Sequence, residues 1–204
     1  MTHDAPHNAT GMRALLRNLD SRSRDVVART LGVLGCRSLQ VSDQAAGDTP
    51  LDRSDMIDLL VVDTDGDVEA ACALVRDMRR GVEAENAFAV TILMTSLAQT
   101  EHLARLLDCG ADAILEKPVD PVKVAERITG LIRKRRCFVV TESYVGPDRR
   151  TRGVRPGTPA AARLPVPNPL RETTLSGMSR EELRGLIRLT WEALDRKRTG
   201  HAAA

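Results

Sequence analysis

The sequence predicts an α/β fold whose main part is one doubly wound sheet of five parallel strands. Short apolar runs that end in a polar residue and a turn recur along the chain, as in residues 57–62, which lead to Asp63. Segments with helical periodicity lie between these runs, and several of them end at a glycine. Because parallel strands need crossover connections, this alternation predicts helices on both faces of the sheet and the strand order 2-1-3-4-5.

Each element of the sheet is predicted by its own pattern within residues 12–136. Strands are expected at residues 12–19, 38–41, 57–63, 88–94 and 113–116. Helices are expected at residues 21–34, 68–80, 99–109 and 121–135. Gly47 and Pro50 interrupt residues 43–55, which therefore support only a short or irregular helix between the second and third strands.

The remaining segments differ in composition from this α/β part. Residues 1–11 are predicted to be disordered. Six prolines and several arginines lie between residues 147 and 169 with almost no acidic residues, which predicts a linker over residues 137–177. Ser179 and Glu182 form a capping-box pattern that begins an amphipathic C-terminal helix over residues 178–198. Its apolar stripe favours docking or homodimer formation and consists of Leu183, Leu186, Ile187, Trp191 and Leu194.

The composition is that of a globular protein and argues against a nucleic-acid or membrane role. The chain has 204 residues, of which 42% are hydrophobic and 28% charged, and its formal net charge is +2. Only 2% of the residues are aromatic, which argues against stacking on nucleic-acid bases. No apolar stretch approaches the roughly 20 residues of a membrane span, and residues 1–10 lack the pattern of a secretory signal. The four cysteines lack metal-type spacing and are expected to be reduced, which predicts a cytoplasmic protein.

Three of the predicted strands end in side chains of complementary chemistry. Asp63 ends the third strand, Thr95 the fourth, and Lys117 follows the fifth directly. The carboxyl ends of parallel strands meet at one edge of a sheet, where open α/β folds bind their ligands. A carboxylate, a hydroxyl and an ammonium at this edge can accept, hydrogen-bond and neutralise a phosphoryl group.

Three short motifs at these strand ends carry a family resemblance. They are Val-Val-Asp at residues 61–63, Leu-Met-Thr-Ser at 93–96 and Glu-Lys-Pro-Val-Asp at 116–120. With these motifs in this order and spacing, residues 12–136 resemble the receiver domain of bacterial two-component response regulators. The resemblance implies a flavodoxin-like fold in which Asp63 takes a phosphoryl group from a histidine kinase or phosphotransfer protein. It also implies that Thr95 and Lys117 bind the phosphoryl group and that the peptide bond between Lys117 and Pro118 is cis.

The resemblance is incomplete at the metal site. Receivers carry two acidic residues at the end of the first strand, which bind Mg²⁺ together with the phosphoacceptor, whereas this chain has Asn18 and Leu19 there. Asparagine offers a neutral oxygen to a hard cation, and leucine offers none. Asp20 lies one residue late, and Asp65 is a further candidate. The metal ligands that the resemblance implies are therefore Asp63 with Asn18, Asp20 or Asp65.

The sequence thus predicts a receiver protein that is not an enzyme and has no DNA-binding output domain. It would act as a phosphorelay intermediate or as an adaptor that contacts a downstream protein partner. One alternative is a pseudo-receiver that binds a protein constitutively and never takes phosphate. A less favoured alternative is nucleic-acid binding through a basic tail, because no helix-turn-helix pattern follows the receiver-like part. The arginines of that tail are Arg149, Arg150, Arg152, Arg155 and Arg163.

Overall fold

The computed structural model describes residues 11–36, 38–43, 56–81, 84–96, 100–141, 143–149 and 163–201. Several sequence-based expectations concern residues outside these ranges. They are the disordered segment at residues 1–10, most of the irregular helix at 43–55, and three of the tail arginines, Arg150, Arg152 and Arg155. Among the described residues, no helix has both the length and the apolar character needed to cross a membrane.

The predicted five-stranded parallel sheet is confirmed. Its strands are β1 (Arg13–Arg17), β2 (Ser38–Ser42), β3 (Leu59–Asp63), β4 (Val90–Thr95) and β5 (Ala113–Glu116). Their order is β2-β1-β3-β4-β5, and all four pairings are parallel. Every residue of β3 and β4 is buried, which explains why these two strands are nearly continuous apolar runs rather than alternating ones.

Helices cover both faces of this sheet, as the alternating pattern predicts. They are α1 (Ser21–Val33), α2 (Val68–Arg79), α3 (Thr100–Asp108) and α4 (Pro121–Arg133). One apolar cluster joins α1 and α4 to one face, and a second joins α2 and α3 to the other. Asp20, Asp67 and Asp120 begin α1, α2 and α4, where each carboxylate accepts a backbone N–H of the first turn.

The described part of residues 137–177, for which the sequence predicts a linker, contains a second, smaller sheet. Strands β6 (Phe138–Val140), β7 (Val145–Pro147) and β8 (Arg163–Leu164) pair antiparallel in the order β7-β6-β8. They are followed by the short helix α5 (Pro169–Thr174) and the long helix α6 (Arg180–His201). The described residues from 137 onward are called the extension below. Their composition supplies too few apolar residues for a separate core, so the extension folds by sharing a core with the α/β part.

This shared core lies at the amino end of the large sheet. It contains Met56 and Phe88, which shortly precede β3 and β4, together with Phe138 of the extension. The ring of Phe88 lies 5.8 Å from that of Phe138 and 6.2 Å from that of Trp191. The predicted amphipathic helix is therefore confirmed as α6, and most of its apolar stripe packs on the same chain. Three residues of the stripe are fully buried there: Leu183, Ile187 and Leu194.

Two arginines and one aspartate form a buried polar network at the same end of the sheet. Arg79 donates to Asp112 at 2.9 Å, and Arg135 donates to both carboxylate oxygens of Asp112 at 2.7 and 2.9 Å. Burial alone would raise the pKa of Asp112, but the two guanidinium groups outweigh it and lower that pKa. Both guanidinium groups also lie against the ring of Phe138, at 5.2 and 4.8 Å. The network therefore fixes the extension as well as β5.

A second buried ion pair ties α6 to the residue that precedes β3. Arg180 donates to both oxygens of Asp58, at 2.7 and 2.6 Å, and Asp58 also accepts the backbone N–H of Arg13 at 2.7 Å. Asp58 is fully buried. Burial raises its pKa, although Arg180 acts in the opposite direction. The predicted capping box beside this pair is confirmed, since Glu182 accepts the backbone N–H of Ser179 and donates its own to the Ser179 hydroxyl.

The shared core predicts that two leucines of α6 differ sharply in their contribution to stability. Leu194 is 1% exposed and Leu189 is 62% exposed. Leu194→Ala should lower the free energy of unfolding of the chain by about 2–5 kcal/mol, because it opens a cavity. Leu189→Ala should change it by less than about 0.5 kcal/mol. Urea unfolding of both variants measures the difference, and equal small effects would show that α6 does not pack on the α/β part.

The ion pair at Asp58 predicts a stability change that depends on pH. Arg180→Ala should cost about 3–5 kcal/mol at neutral pH, because it leaves a buried carboxylate unpaired. Without Arg180 the pKa of Asp58 in the folded state rises further above 3.8, so on acidification the folded state takes up the proton first. The deficit should therefore shrink in mildly acidic buffer.

Arg184→Ala is the matched control, since Arg184 lies on the same helix, is exposed, and pairs with Glu85 outside that helix at 2.9 Å. Its cost should be about 0–1 kcal/mol. A deficit for Arg180→Ala that is the same in neutral and acidic buffer would contradict the role given to Asp58.

Candidate functional site

A cleft of about 820 Å³ opens at the carboxyl edge of the large sheet. The ends of β1 and β3 and the residues just after β4 and β5 contribute to it. Most of the polar site residues predicted from the sequence line this cleft, although they are far apart in the chain. They are Asn18, Asp20, Asp63, Asp65 and Lys117.

The ammonium of Lys117 lies among three carboxylates. Its Nζ is 2.7 Å from Oδ2 of Asp65 and 3.2 Å from Oδ2 of Asp20, and it makes a short hydrogen bond to Oδ2 of Asp63. The side chains of Lys117 and Asp63 are 12% and 5% exposed. Burial alone would lower the pKa of Lys117, but its hydrogen bonds to Asp63 and Asp65 raise it above its ordinary value. The lysine is therefore charged.

Asp20 reaches the cleft because of a turn at the end of β1. Asn18 has φ +57°, a left-handed conformation that asparagine adopts more readily than most residues. Asp20 then begins α1 by accepting the backbone N–H of Ser23 at 2.9 Å and its hydroxyl at 2.7 Å. These bonds from Ser23, with a smaller contribution from Lys117, lower the pKa of Asp20 to about 2. Asp20 is thus ionised and faces Lys117 while it caps the helix.

Asp65 is held by Ser96, a contact that the sequence analysis missed. Its Oδ1 accepts the backbone N–H of Ser96 at 2.7 Å, and its Oδ2 accepts the Ser96 hydroxyl at 2.6 Å. Burial alone would raise the pKa of Asp65, but the hydrogen bonds from Lys117 and Ser96 lower it. The one sequence signal for this contact is that Ser96 directly follows β4, the strand next to β3, and so lies at the same edge of the sheet as Asp65.

Thr95 and the Lys117–Pro118 peptide bond lie at the carboxyl ends of β4 and β5, beside the cleft. Thr95 is 1% exposed at the end of β4, and its carbonyl accepts the backbone N–H of Lys117 at 2.8 Å. In this arrangement Ser96, and not Thr95, is among the residues that line the cleft. The expected cis peptide bond between Lys117 and Pro118 is confirmed.

The two residues at the family's acidic positions have different surroundings. Leu19 is buried in the apolar cluster beneath α1 and α4. The side-chain oxygen of Asn18 is buried and has no hydrogen-bond partner in the part of the chain that the structure describes. Leucine at this position therefore serves the core, and Asn18 supplies one neutral oxygen to the floor of the cleft.

The carboxylates do not fit a divalent cation in this arrangement. Mg²⁺ requires near-octahedral oxygen ligands at short distance. Within the described ranges, no group of three or more histidine, cysteine, aspartate or glutamate side chains is arranged to hold a metal. The ammonium of Lys117 already lies where a cation would contact Asp20, Asp63 and Asp65. The positive charge beside Asp63 is therefore that of the lysine.

Comparisons with known proteins agree with this fold. A response regulator from Desulfuromonas acetoxidans superposes with a TM-score of 0.50 at 17% identity, covering 60% of this chain and 97% of that one. The response regulator DrrB from Thermotoga maritima, an OmpR/PhoB homolog, gives a TM-score of 0.51 at 19% identity, covering 64% of this chain and 57% of that one. A putative pilus assembly-related protein from Burkholderia pseudomallei gives 0.48 at 17% identity, covering 58% and 87%.

Sequence comparisons add nothing to these structural ones, since no protein-family model and no curated protein match the chain. The strand order β2-β1-β3-β4-β5 with helices on both faces is the fold of CheY-like response regulator receiver domains. The α/β part of this chain has that fold. The extension, which contributes its own sheet and two helices, is built onto it at the edge opposite the cleft.

Because the carboxylates of the cleft do not fit a divalent cation, one added carboxylate should strengthen the binding of Mg²⁺. Asn18→Asp places a charged oxygen on the floor of the cleft, and aspartate also tolerates the left-handed conformation. This variant should bind Mg²⁺ at least roughly tenfold more tightly than wild type, because ligand charge sets the affinity of such sites. Asn18→Ala is the control and should resemble wild type. Titration calorimetry measures the affinities, and wild-type binding as tight as that of Asn18→Asp would contradict the assignment.

Proposed function

We propose that this chain is a signalling receiver in which the Asp63 carboxylate accepts a phosphoryl group from a phosphohistidine. The donor would be a histidine kinase or a phosphotransfer protein. The observation that carries the proposal is the direct hydrogen bond between Lys117 and Asp63 at the carboxyl edge of a receiver-type sheet. A carboxylate next to a fixed ammonium, in an open cleft, suits a nucleophile that must react with a highly charged group.

The proposed reaction is a direct displacement at phosphorus. One oxygen of Asp63 attacks the phosphorus atom and forms a P–O bond. The P–N bond to the imidazole breaks, and its electron pair returns to the ring nitrogen, so that histidine leaves neutral after taking one proton. The product is an acyl phosphate on Asp63. Lys117 offsets the negative charge that gathers on the phosphoryl oxygens, which is the main contribution a protein makes to phosphoryl transfer.

The proposed output is a contact with a downstream protein rather than an enzymatic activity. The acyl phosphate carries a charge of roughly −1.5 to −2 in place of the single negative charge of a carboxylate, and this change would shift the equilibrium of the surface formed by α3, β5 and α4. A groove of about 780 Å³ lies on this surface. It is lined by apolar side chains such as Ile114 and Leu131 and by the cationic side chains of Lys123 and Arg127. Acidic side chains such as Glu116 and Glu126 also line it, and a groove of mixed apolar and charged character suits a protein partner. The role proposed for the chain is that of a cytoplasmic relay or adaptor.

A second candidate function is a pseudo-receiver that binds its partner without phosphate. It is favoured by the absence of carboxylates at Asn18 and Leu19, together with the three carboxylates that already surround Lys117. Nucleic-acid binding through the tail is not proposed. Arg149 is engaged with the carbonyl of Ala111, and Arg163 forms an ion pair with Asp148 at 2.5 Å.

Labelling with a small phosphodonor tests the proposal. Wild-type protein incubated with phosphoramidate and Mg²⁺ should gain one phosphoryl group, seen by intact mass spectrometry. Asp63→Asn should gain none, because an amide cannot attack phosphorus. Asp67→Asn is the matched control, since it removes a charge from the same cleft while asparagine still caps α2.

Two outcomes would count against the phosphoacceptor. Equal labelling of wild type and Asp63→Asn would place the phosphoryl group elsewhere. No labelling of wild type by phosphoramidate, or by a panel of histidine kinases, would leave the constitutive module as the better account.

A further inference from the structure

The hydrogen-bond donors beside Asp63 are engaged by another carboxylate of the same chain. Asp65 accepts from the Lys117 ammonium at 2.7 Å, from the Ser96 backbone N–H at 2.7 Å and from the Ser96 hydroxyl at 2.6 Å. These three donors come from two different strand ends, and they converge on one anion. Such charge-assisted bonds are short and about twice as strong as neutral ones.

The hydrogen bonds of Asp65 are not those of a helix cap or of a turn between neighbouring residues. Helix α2 is capped by Asp67, which accepts the backbone N–H of Ala70 at 2.9 Å, so the helix does not need Asp65. The backbone N–H of Asp65 donates to Oδ1 of Asp63 at 2.9 Å, and the carboxylates of both residues contact the ammonium of Lys117. The contact between Asp65 and Ser96 spans 31 residues of sequence. Asp65 therefore shares the Lys117 ammonium with Asp63 and also binds the two donors of Ser96.

We propose that Asp65 is an internal anion that competes with the phosphoryl group on Asp63 for Lys117 and Ser96. This inference rests on the proposed function of Asp63 and adds a residue that controls it. A phosphoryl group on Asp63 needs hydrogen-bond donors for its oxygens, and those of Lys117 and Ser96 are the ones that Asp65 holds. Asp65 must leave them when the phosphoryl group arrives.

The structure gives Asp65 room to leave. Its side chain is 29% exposed, whereas that of Asp63 is 5% exposed. It lies in the turn after β3, so a rotation of its side chain toward solvent does not disturb the sheet. In the unphosphorylated protein, Asp65 fills the anion site and keeps Ser96 and Lys117 in place. In the phosphorylated protein, its charge lies next to the phosphoryl group and disfavours that state.

The comparison of Asp65→Asn with Asp67→Asn isolates this competition. Both variants remove one negative charge from the same cleft, but only Asp65 contacts Lys117 and Ser96. With phosphoramidate and Mg²⁺, Asp65→Asn should be labelled roughly tenfold faster than wild type, as expected when a charge-assisted bond no longer has to be broken. Asp67→Asn should stay within about threefold of wild type, since charges that are not in contact interact weakly in water. Equal acceleration by both variants, or none by Asp65→Asn, would overturn the proposal.

A binding experiment separates this inference from the assignment of Asp63. In the Asp63→Asn background no acyl phosphate can form, and inorganic phosphate serves as the probe. The Asp63→Asn/Asp65→Asn double variant should bind phosphate roughly tenfold more tightly than Asp63→Asn alone, with the Ser96 amide signal shifting in ¹⁵N NMR titrations. Tighter phosphate binding without labelling of any variant would support the competition by Asp65 and refute the phosphoacceptor. If Asp63 is labelled but Asp65→Asn changes neither the labelling rate nor phosphate binding, the competition by Asp65 is refuted and the assignment of Asp63 stands.

Discussion

All five strands of the large sheet run in the same direction, and this constraint gives the molecule two chemically different edges. The carboxyl ends bring Asp63 and Lys117 together with the turn that carries Asp20, although 97 residues separate Lys117 from Asp20. The amino ends bring together the apolar residues that precede β3 and β4. One edge therefore becomes a polar cleft, and the other becomes an apolar surface that has to be covered.

The extension covers the amino edge. Phe138 packs on Phe88 and against the guanidinium groups of Arg79 and Arg135, and α6 contributes Leu183, Ile187 and Leu194 to the same cluster. Burying charged groups at this edge costs desolvation energy, which is offset only where each charge has a close partner of opposite sign. Asp112 has two such partners, Arg79 and Arg135. Since the extension lies at the edge opposite the cleft, it does not cover Asp63. It is part of the folded unit and not a tether between two units.

The sequence predicts those features that depend on local periodicity and misses those that depend on distant contacts. The strands and helices of the large sheet, and the residues Asp63 and Lys117 at its edge, follow from apolar runs with turns at their ends. The role of Ser96 depends on a side chain 31 residues away, and no local pattern marks it. Asp20 reaches the cleft because of the left-handed turn at Asn18. The small sheet of the extension was missed because its apolar residues are too few to form a core unless Met56 and Phe88 are counted with them.

The central claim is that the cleft directs phosphoryl chemistry to Asp63, although the ammonium of Lys117 also contacts the carboxylates of Asp20 and Asp65. The chemistry of the acyl phosphate offers a direct test, because borohydride reduces it to an alcohol and so marks the residue that carried it. Wild-type protein labelled with phosphoramidate, reduced with tritiated borohydride and digested should yield one labelled peptide, with the label at Asp63. Label at Asp20 or Asp65 would contradict the assignment. A phosphorylated protein that borohydride does not reduce would show that no acyl phosphate forms.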